Sequence, residues 1–211
     1  MKVVIFGATG GIGKFAVKHA LENGHEVTAY VRNPDKFQQK HERLHVAQGN
    51  INDPVAVEAA LQGQDAAIWC VGIPLKRKYA NMDSLEGHKV LLHAMKKAGV
   101  RRLIDWGTPS VPFEGDKKSF ITIVPGVLAG IGLTQAKKEM VAIGDLLKMS
   151  DLDWTLVRFM APKDTPYTGR VKVGFGDTKM RFNISREDIG AFMVEQLDSK
   201  EYVRSMPIIG S

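Results

Sequence analysis

The chain is poor in the features that mark several large protein classes. Its 211 residues hold one cysteine, Cys70, so an intrachain disulfide framework is excluded and a reducing compartment is expected. No apolar stretch approaches the ~20 residues of a membrane-spanning helix, and the opening turns polar after Phe6, too soon for a secretory signal. A cytoplasmic location with no membrane partner is therefore expected. His19, His25, His41, His45, His88 and His93 show no metal-ligand spacing with cysteine or carboxylates; no metal is expected, and they read as surface or helix-face residues. The chain has no Gly-x-Ser-x-Gly elbow and no Gly-Lys-Ser/Thr phosphate loop. Its net charge of +6 is spread over helix ends and loops, without the clustering among aromatics that a nucleic-acid face requires. No polar linker, repeat or low-complexity tract divides it, so residues 1–211 read as one domain.

Against these absences stands one dense motif. Val3-Val4-Ile5-Phe6 reads as a buried strand, Gly7-Ala8-Thr9-Gly10-Gly11-Ile12-Gly13 as a tight turn, and Lys14 to Leu21 as a helix. Strand, glycine turn and helix in this order form a phosphate-binding arrangement. Gly7 permits the turn, Gly10 lets a pyrophosphate approach the backbone, and Gly13 lets the helix pack on the strand. Gly7, Thr9, Gly10, Gly11, Ile12 and Gly13 are thus candidate dinucleotide contacts at a helix N-terminus. A purely structural turn is the alternative.

The rest of the chain alternates strand and helix signals. Strands are expected at 2–6, 27–31, 44–47, 66–71, 102–106 and 154–158, and helices at 12–23, 54–62, 84–98 and 134–149. The pattern predicts a Rossmann-type α/β fold, a doubly wound, mostly parallel sheet in three α/β/α layers. Beyond residue 160 come shorter signals: strands near 170–175 and 179–182, a capped helix at Ser185, and an edge strand at Met206-Pro207-Ile208-Ile209. Residues 160–211 read as a small substrate-side extension over the cofactor crevice.

The end of the second strand separates the two nicotinamide cofactors. An acid there would bind the ribose 2′-hydroxyl of NAD. The chain has Val31-Arg32-Asn33-Pro34 instead, and the planar fork of Arg32 suits a 2′-phosphate. NADP(H) is expected over NAD(H), with Lys36 adding charge and a plain surface arginine as the alternative. Asn50 and Ile51 are placed at the adenine, one by hydrogen bond and one by apolar contact; an Asn-containing turn is the other reading. Val71 and Gly72 follow the fourth strand and are placed beside the ribose and pyrophosphate. Cys70 reads as packing, since nothing nearby in sequence would make it a thiolate.

These residues resemble the atypical short-chain dehydrogenase/reductase superfamily, in particular the NAD(P)H-binding group around biliverdin-IXβ reductase, also called flavin reductase, and bacterial NADH-flavin reductases. The resemblance rests on the glycine turn, Val31-Arg32-Asn33, Gly49-Asn50-Ile51 (where relatives often have Gly-Asp) and Ala98-Gly99-Val100-Arg101-Arg102. It continues through the run from Ser150 to Arg158 and the late segment from Ile184 to Met193, and so covers nearly the whole chain.

The departures bear on chemistry. Most short-chain dehydrogenases use Tyr-x-x-x-Lys, where the lysine helps the tyrosine pass a proton to a carbonyl. None of Tyr30, Tyr79, Tyr167 and Tyr202 has a lysine four positions later. The helix where the pair belongs begins Thr134-Gln135-Ala136-Lys137-Lys138-Glu139. Where relatives carry a Ser/Thr pair, the fifth strand ends Trp106-Gly107-Thr108-Pro109-Ser110. Thr108 and Ser110 are candidate acceptor-holding hydroxyls, and Trp106 and Gly107 candidate cofactor contacts. Phe159 and Met160, after the sixth strand, are placed under the nicotinamide. Residues 107–132, with Phe113, Phe120, Pro125, Gly126, Gly130 and Gly132, read as an active-site flap; an oligomer contact is the alternative, in a monomer or homodimer.

The combination points to a reductase moving hydride from NADPH to a small planar acceptor such as FMN, FAD, riboflavin or a quinone, which needs no enzyme acid. One alternative is a non-catalytic NADP(H)-binding redox sensor. Another is a small-carbonyl reductase or isomerase using Lys137 or Lys138 as acid.

Overall fold

Val3, Val4, Ile5 and Phe6 in β1 (Lys2–Phe6) are all fully buried, as are Ala66 to Trp69 in β4 (Ala66–Trp69). Strands covered on both faces are the mark of a parallel sheet between helix layers. The computed structural model describes residues 1–74, 76–119, 122 and 132–211. Around β1 and β4 lie β2 (Glu26–Val31), β3 (Leu44–Gln48), β5 (Arg102–Gly107) and β6 (Asp153–Arg158), in the order β3-β2-β1-β4-β5-β6, all parallel. This is the doubly wound Rossmann order.

Alternate residues of each strand face opposite layers. Val4 and Phe6 pack with α2 (Pro54–Leu61), α3 (Asp83–Ala98) and α4 (Thr134–Met149). Val3 and Ile5 pack with α1 (Gly13–Glu22) and α5 (Arg186–Glu195). Local signals set the helix ends. Asp53 caps α2 through its carboxylate, 3.0 Å from Val55 N and 3.2 Å from Ala56 N, ahead of Pro54 at the first helical position. Gly99 ends α3 in the left-handed conformation at φ 73°.

The segment after β6 is more deeply built in than an extension. β10 (Ile208–Gly210) pairs in parallel with β6 and antiparallel with β8 (Lys172–Gly174), which takes the sheet edge. The expected edge strand is thus internal. Residues 179–182 form no strand: Arg181 exchanges two backbone hydrogen bonds with Ser211, at 2.8 and 3.1 Å, and the pairing stops there. A two-stranded ladder of β7 (Pro162–Lys163) and β9 (Ile184–Ser185) leads into α5. Helix α5 lies tight on α1, where a Cβ on Gly190 would meet Ala16 N at 2.9 Å. No helix among the described residues is long and apolar enough to cross a membrane.

Candidate functional site

The strand order reverses between β1 and β4, and in sheets of this kind the ligand crevice lies beyond the C-terminal strand ends at that point. The glycine turn forms one wall. Gly7 sits at φ 76°, and a Cβ on it would lie 2.8 Å from the carbonyl carbon of Cys70. Gly10 N–H donates to Gly7 O at 2.9 Å, and a Cβ on Gly13 would fall 2.2 Å from that same oxygen. The bare side of Gly10 faces Gly7 O at 3.1 Å and Cys70 O at 3.7 Å, so its missing side chain serves the closure of the turn. Thr9 and Gly11 are exposed at the tip, and no side chain caps Ile12 at the start of α1. The open N–H groups of that helix end fit an anion, and the residues present fit a dinucleotide pyrophosphate.

The adenosine side follows β2 and β3. Arg32 is exposed, and among the described residues its guanidinium makes no ion pair. Asn50 uses its carbonyl to accept from Tyr30 Oη at 2.9 Å and its side-chain oxygen to accept from Asn52 N at 3.0 Å, which leaves its amide donors for a ligand. Gly49 is required because a Cβ would fall 2.0 Å from Tyr30 Oη. Burial pushes the Tyr30 hydroxyl up to about 12. Ile51 is half-buried, and a Cβ on Gly87 of α3 would lie 3.0 Å both from its Cδ1 and from Trp69.

On the other side of β1, residues far apart in sequence meet. Trp106 Nε1 donates to Val71 O at 2.9 Å, and Phe159 N donates to Gly107 O at 3.1 Å. The Trp106 and Phe159 rings stack with centroids 5.7 Å apart and planes at 27°. Val71, Trp106, Gly107 and Phe159 therefore share one wall, with Met160 half-buried beside it and Gly72 open to space. Burial, and then the charge of Asp105, push the Cys70 thiol up to about 12, which fits an unreactive packing residue.

The Thr108 and Ser110 hydroxyls lie 2.6 Å apart, and Thr108 Oγ1 contacts Met140 Sδ at 3.4 Å. Helix α4 turns Ala136 and Met140 inward and leaves Lys138 exposed. Two residues is more than half a helical turn, so Lys138 lies on the face of α4 away from Met140 and its contact with Thr108. Lys137 is half-buried and has partners.

Four side-chain assemblies escape sequence reading. Tyr79 donates to Glu139 Oε2 at 2.5 Å, and the same buried carboxylate accepts from Leu85 N at 2.9 Å. Burial, the hydrogen bond and the Glu139 charge hold the Tyr79 proton well above the usual tyrosine range. A tyrosine does stand at α4, but its partner has the opposite effect to a lysine. His88, read as a helix-face residue, is 1% exposed, with Nδ1 2.6 Å from Ser84 O and Nε2 2.9 Å from Asp105 Oδ2. A carbonyl only accepts, so the Ser84 contact calls for a donor at Nδ1. His19 and His25 are also buried.

The third assembly is Arg158, fully buried at the end of β6. It donates to Met206 O and Val111 O and grips Asp116 through two nitrogens, at 2.8 and 2.5 Å. With Lys117 N donating to Phe175 O at 2.8 Å and the Phe113 ring 5.8 Å from Phe175, it pins the root of the expected flap. Phe120, Pro125, Gly126 and Gly130 of that flap lie outside the described residues. The fourth is Arg186, which lies against Gly11. Among the described residues no cluster of histidine, cysteine and carboxylates could hold a metal.

Strand order, switch-point crevice and glycine cradle together define a Rossmann dinucleotide-binding protein. Residues 7–200 match the model of a family described as NAD(P)H-binding, and the chain belongs to that family. It is 28% identical over 215 residues to isoflavone reductase homolog P3 of Arabidopsis thaliana, covering 93% of this chain and 64% of that one. It is 29% identical over 105 residues to an uncharacterized protein of Mycobacterium tuberculosis, a match spanning 49% of this chain and 12% of that protein. Among solved structures, a short-chain dehydrogenase/reductase from Veillonella parvula in complex with NADP superposes with a TM-score of 0.79 at 17% identity, covering 100% of this chain and 94% of that one. The oxidoreductase ylbE from Lactococcus lactis gives 0.79 at 21% identity, covering 100% and 91%. Both show the fold.

Proposed function

We propose that the protein is an NADPH-dependent reductase that passes hydride to a planar flavin- or quinone-like acceptor. The observation that carries this reading is the wall in which half-buried Val71 and Trp106 are hydrogen-bonded and the Trp106 indole stacks on buried Phe159, so that the partly exposed groups of the wall are apolar. The polar groups next to it are already engaged: buried Asp105 meets His88 and Trp106 N, Arg158 grips Asp116, the Thr108 and Ser110 hydroxyls are bound to each other, and Tyr79 is held by Glu139 of α4. A carbonyl substrate would lack a proton donor there. A flavin or quinone delocalises the incoming charge and is protonated by water, so the protein acts by orientation.

The cofactor supplies the hydride. The glycine turn holds its pyrophosphate, Arg32 its 2′-phosphate, and Asn50 its adenine. The resemblance to flavin reductases supports the acceptor class.

The test is oxidation of NADPH and NADH with FMN, FAD, riboflavin and a panel of quinones and small carbonyls. The reading expects turnover with at least one ring acceptor and none with carbonyls. Tight NADPH binding without turnover on any acceptor would replace it with a redox-sensing role.

A further inference from the structure

We propose that Arg186 is a clamp for the dinucleotide pyrophosphate, held in reserve by Asp164. The inference rests on the dinucleotide reading of the glycine turn and adds a residue outside that motif. Arg186 opens α5 directly after Ser185, whose hydroxyl caps the helix by accepting from Glu187 N at 3.2 Å. A Cβ built on Gly11 would sit 3.0 Å from Arg186 Cδ and 3.1 Å from Nε. The arginine stem therefore crosses the turn at its exposed tip, in space that a side chain at position 11 would take.

The base of that stem is fixed relative to the turn. Glu187, the next residue, accepts from Lys18 at 2.6 Å and lies 3.3 Å from His19, both on α1. One turn further on, Gly190 packs against Ala16 N. The first turn of α5 is thus fastened to the helix whose N-terminus faces the crevice.

The head of Arg186 is differently placed. It pairs at 2.6 Å with Asp164; the Arg186 side chain as a whole is 28% exposed and that of Asp164 80%. A pair with so exposed a carboxylate is weak. A guanidinium facing a phosphate makes two parallel charge-assisted hydrogen bonds. A pyrophosphate on the turn would draw the head from Asp164 with little loss. Asp164 meanwhile keeps the charge neutralised and the side chain extended over Gly11. The pyrophosphate is common to NADPH and NADH, so Arg186 acts on both alike, whereas Arg32 is placed to tell them apart.

The test measures dissociation constants for NADPH and NADH by fluorescence titration of the full chain, for wild type, Arg186→Gln, Arg186→Lys and Asp164→Asn. Thermal melting without nucleotide checks that each variant folds. Arg186→Gln is expected to weaken both nucleotides by the same factor, about 10-fold. Arg186→Lys should recover part of the loss, and Asp164→Asn should tighten both about 2-fold. Unchanged binding in a folded Arg186→Gln protein would overturn the proposal. So would a loss confined to NADPH, or an Asp164→Asn variant as weak as Arg186→Gln, which would make the pair structural. Wild-type protein that binds neither nucleotide would bring down the dinucleotide reading and the clamp together, a result distinct from all of these.

Discussion

At the end of β1 the chain turns with backbone alone. Within seven residues, Gly7, Gly10 and Gly13 bring three backbone segments so close that a single added methyl at Gly13 would sit 2.2 Å from an oxygen. At the ends of β5 and β6 the construction is the reverse. There the ends are joined by contacts between remote parts of the chain: Arg158 on Asp116, Trp106 on Val71, Phe159 on Gly107. A pyrophosphate has one shape, and a backbone cradle suits it. Acceptors differ in shape, and a wall of side chains can be changed one residue at a time without disturbing the cradle.

The largest effect expected on this contrast comes from Arg158→Met. It leaves Asp116 and two carbonyls without their buried partner, at a cost of about 3–5 kcal/mol. Urea unfolding measures the loss. NADPH affinity of the folded protein should stay near wild type if the two sides are independent, and a parallel fall in affinity would break the distinction. Gly13→Ala should cost about 1–3 kcal/mol through overpacking against Gly7 O, and here stability and NADPH binding should fall together. Retained affinity would show that the cradle tolerates more than its geometry suggests.

Arg32→Ala sharpens the contrast within the cofactor side, because it touches no part of the turn. NADPH should weaken about 10-fold with NADH nearly unchanged; equal losses in a titration of both would remove the 2′-phosphate assignment. The smallest effect concerns the α1–α5 contact. The Lys18 hydrogen bond, and then its charge and the contact with His19, hold the Glu187 carboxyl below its ordinary value against some burial. A lowered carboxylate stabilises the fold above its unfolded pKa and loses that contribution as pH falls through the folded one. Stability should drop below about pH 4 by under about 1 kcal/mol from this pair. The drop should be smaller in Lys18→Met, and an identical acid profile in the two proteins would show that the pair contributes nothing.

The same contrast explains what could be read in advance. The glycine turn, the caps at Asp53 and Gly99 and the apolar runs of β1 and β4 are local patterns with local causes, so the six parallel strands and the doubly wound class of the sheet were legible. The β10 strand was legible as a strand but not in its place, because three residues carry no signal of which neighbours they join. The pairings of Arg158, His88, Tyr79 and Arg186 were not legible. Their partners lie 42, 17, 60 and 22 positions away (158−116, 105−88, 139−79, 186−164). Nothing in a single sequence distinguishes a buried arginine from a surface one until the fold brings its acceptors to it. Lys138 shows the converse: a candidate acid by residue type, it lies on the exposed face of α4.

The indole of Trp106 has a use apart from holding a wall. Trp69 and Trp154 are buried in the core, whereas Trp106 is half-buried at the crevice, hydrogen-bonded to the end of β4 and stacked on Phe159. The molecule thus carries its own optical reporter at the junction of the two sides. Its emission should respond to occupancy of the crevice, and a Trp106→Phe protein, with two silent tryptophans left, would supply the baseline.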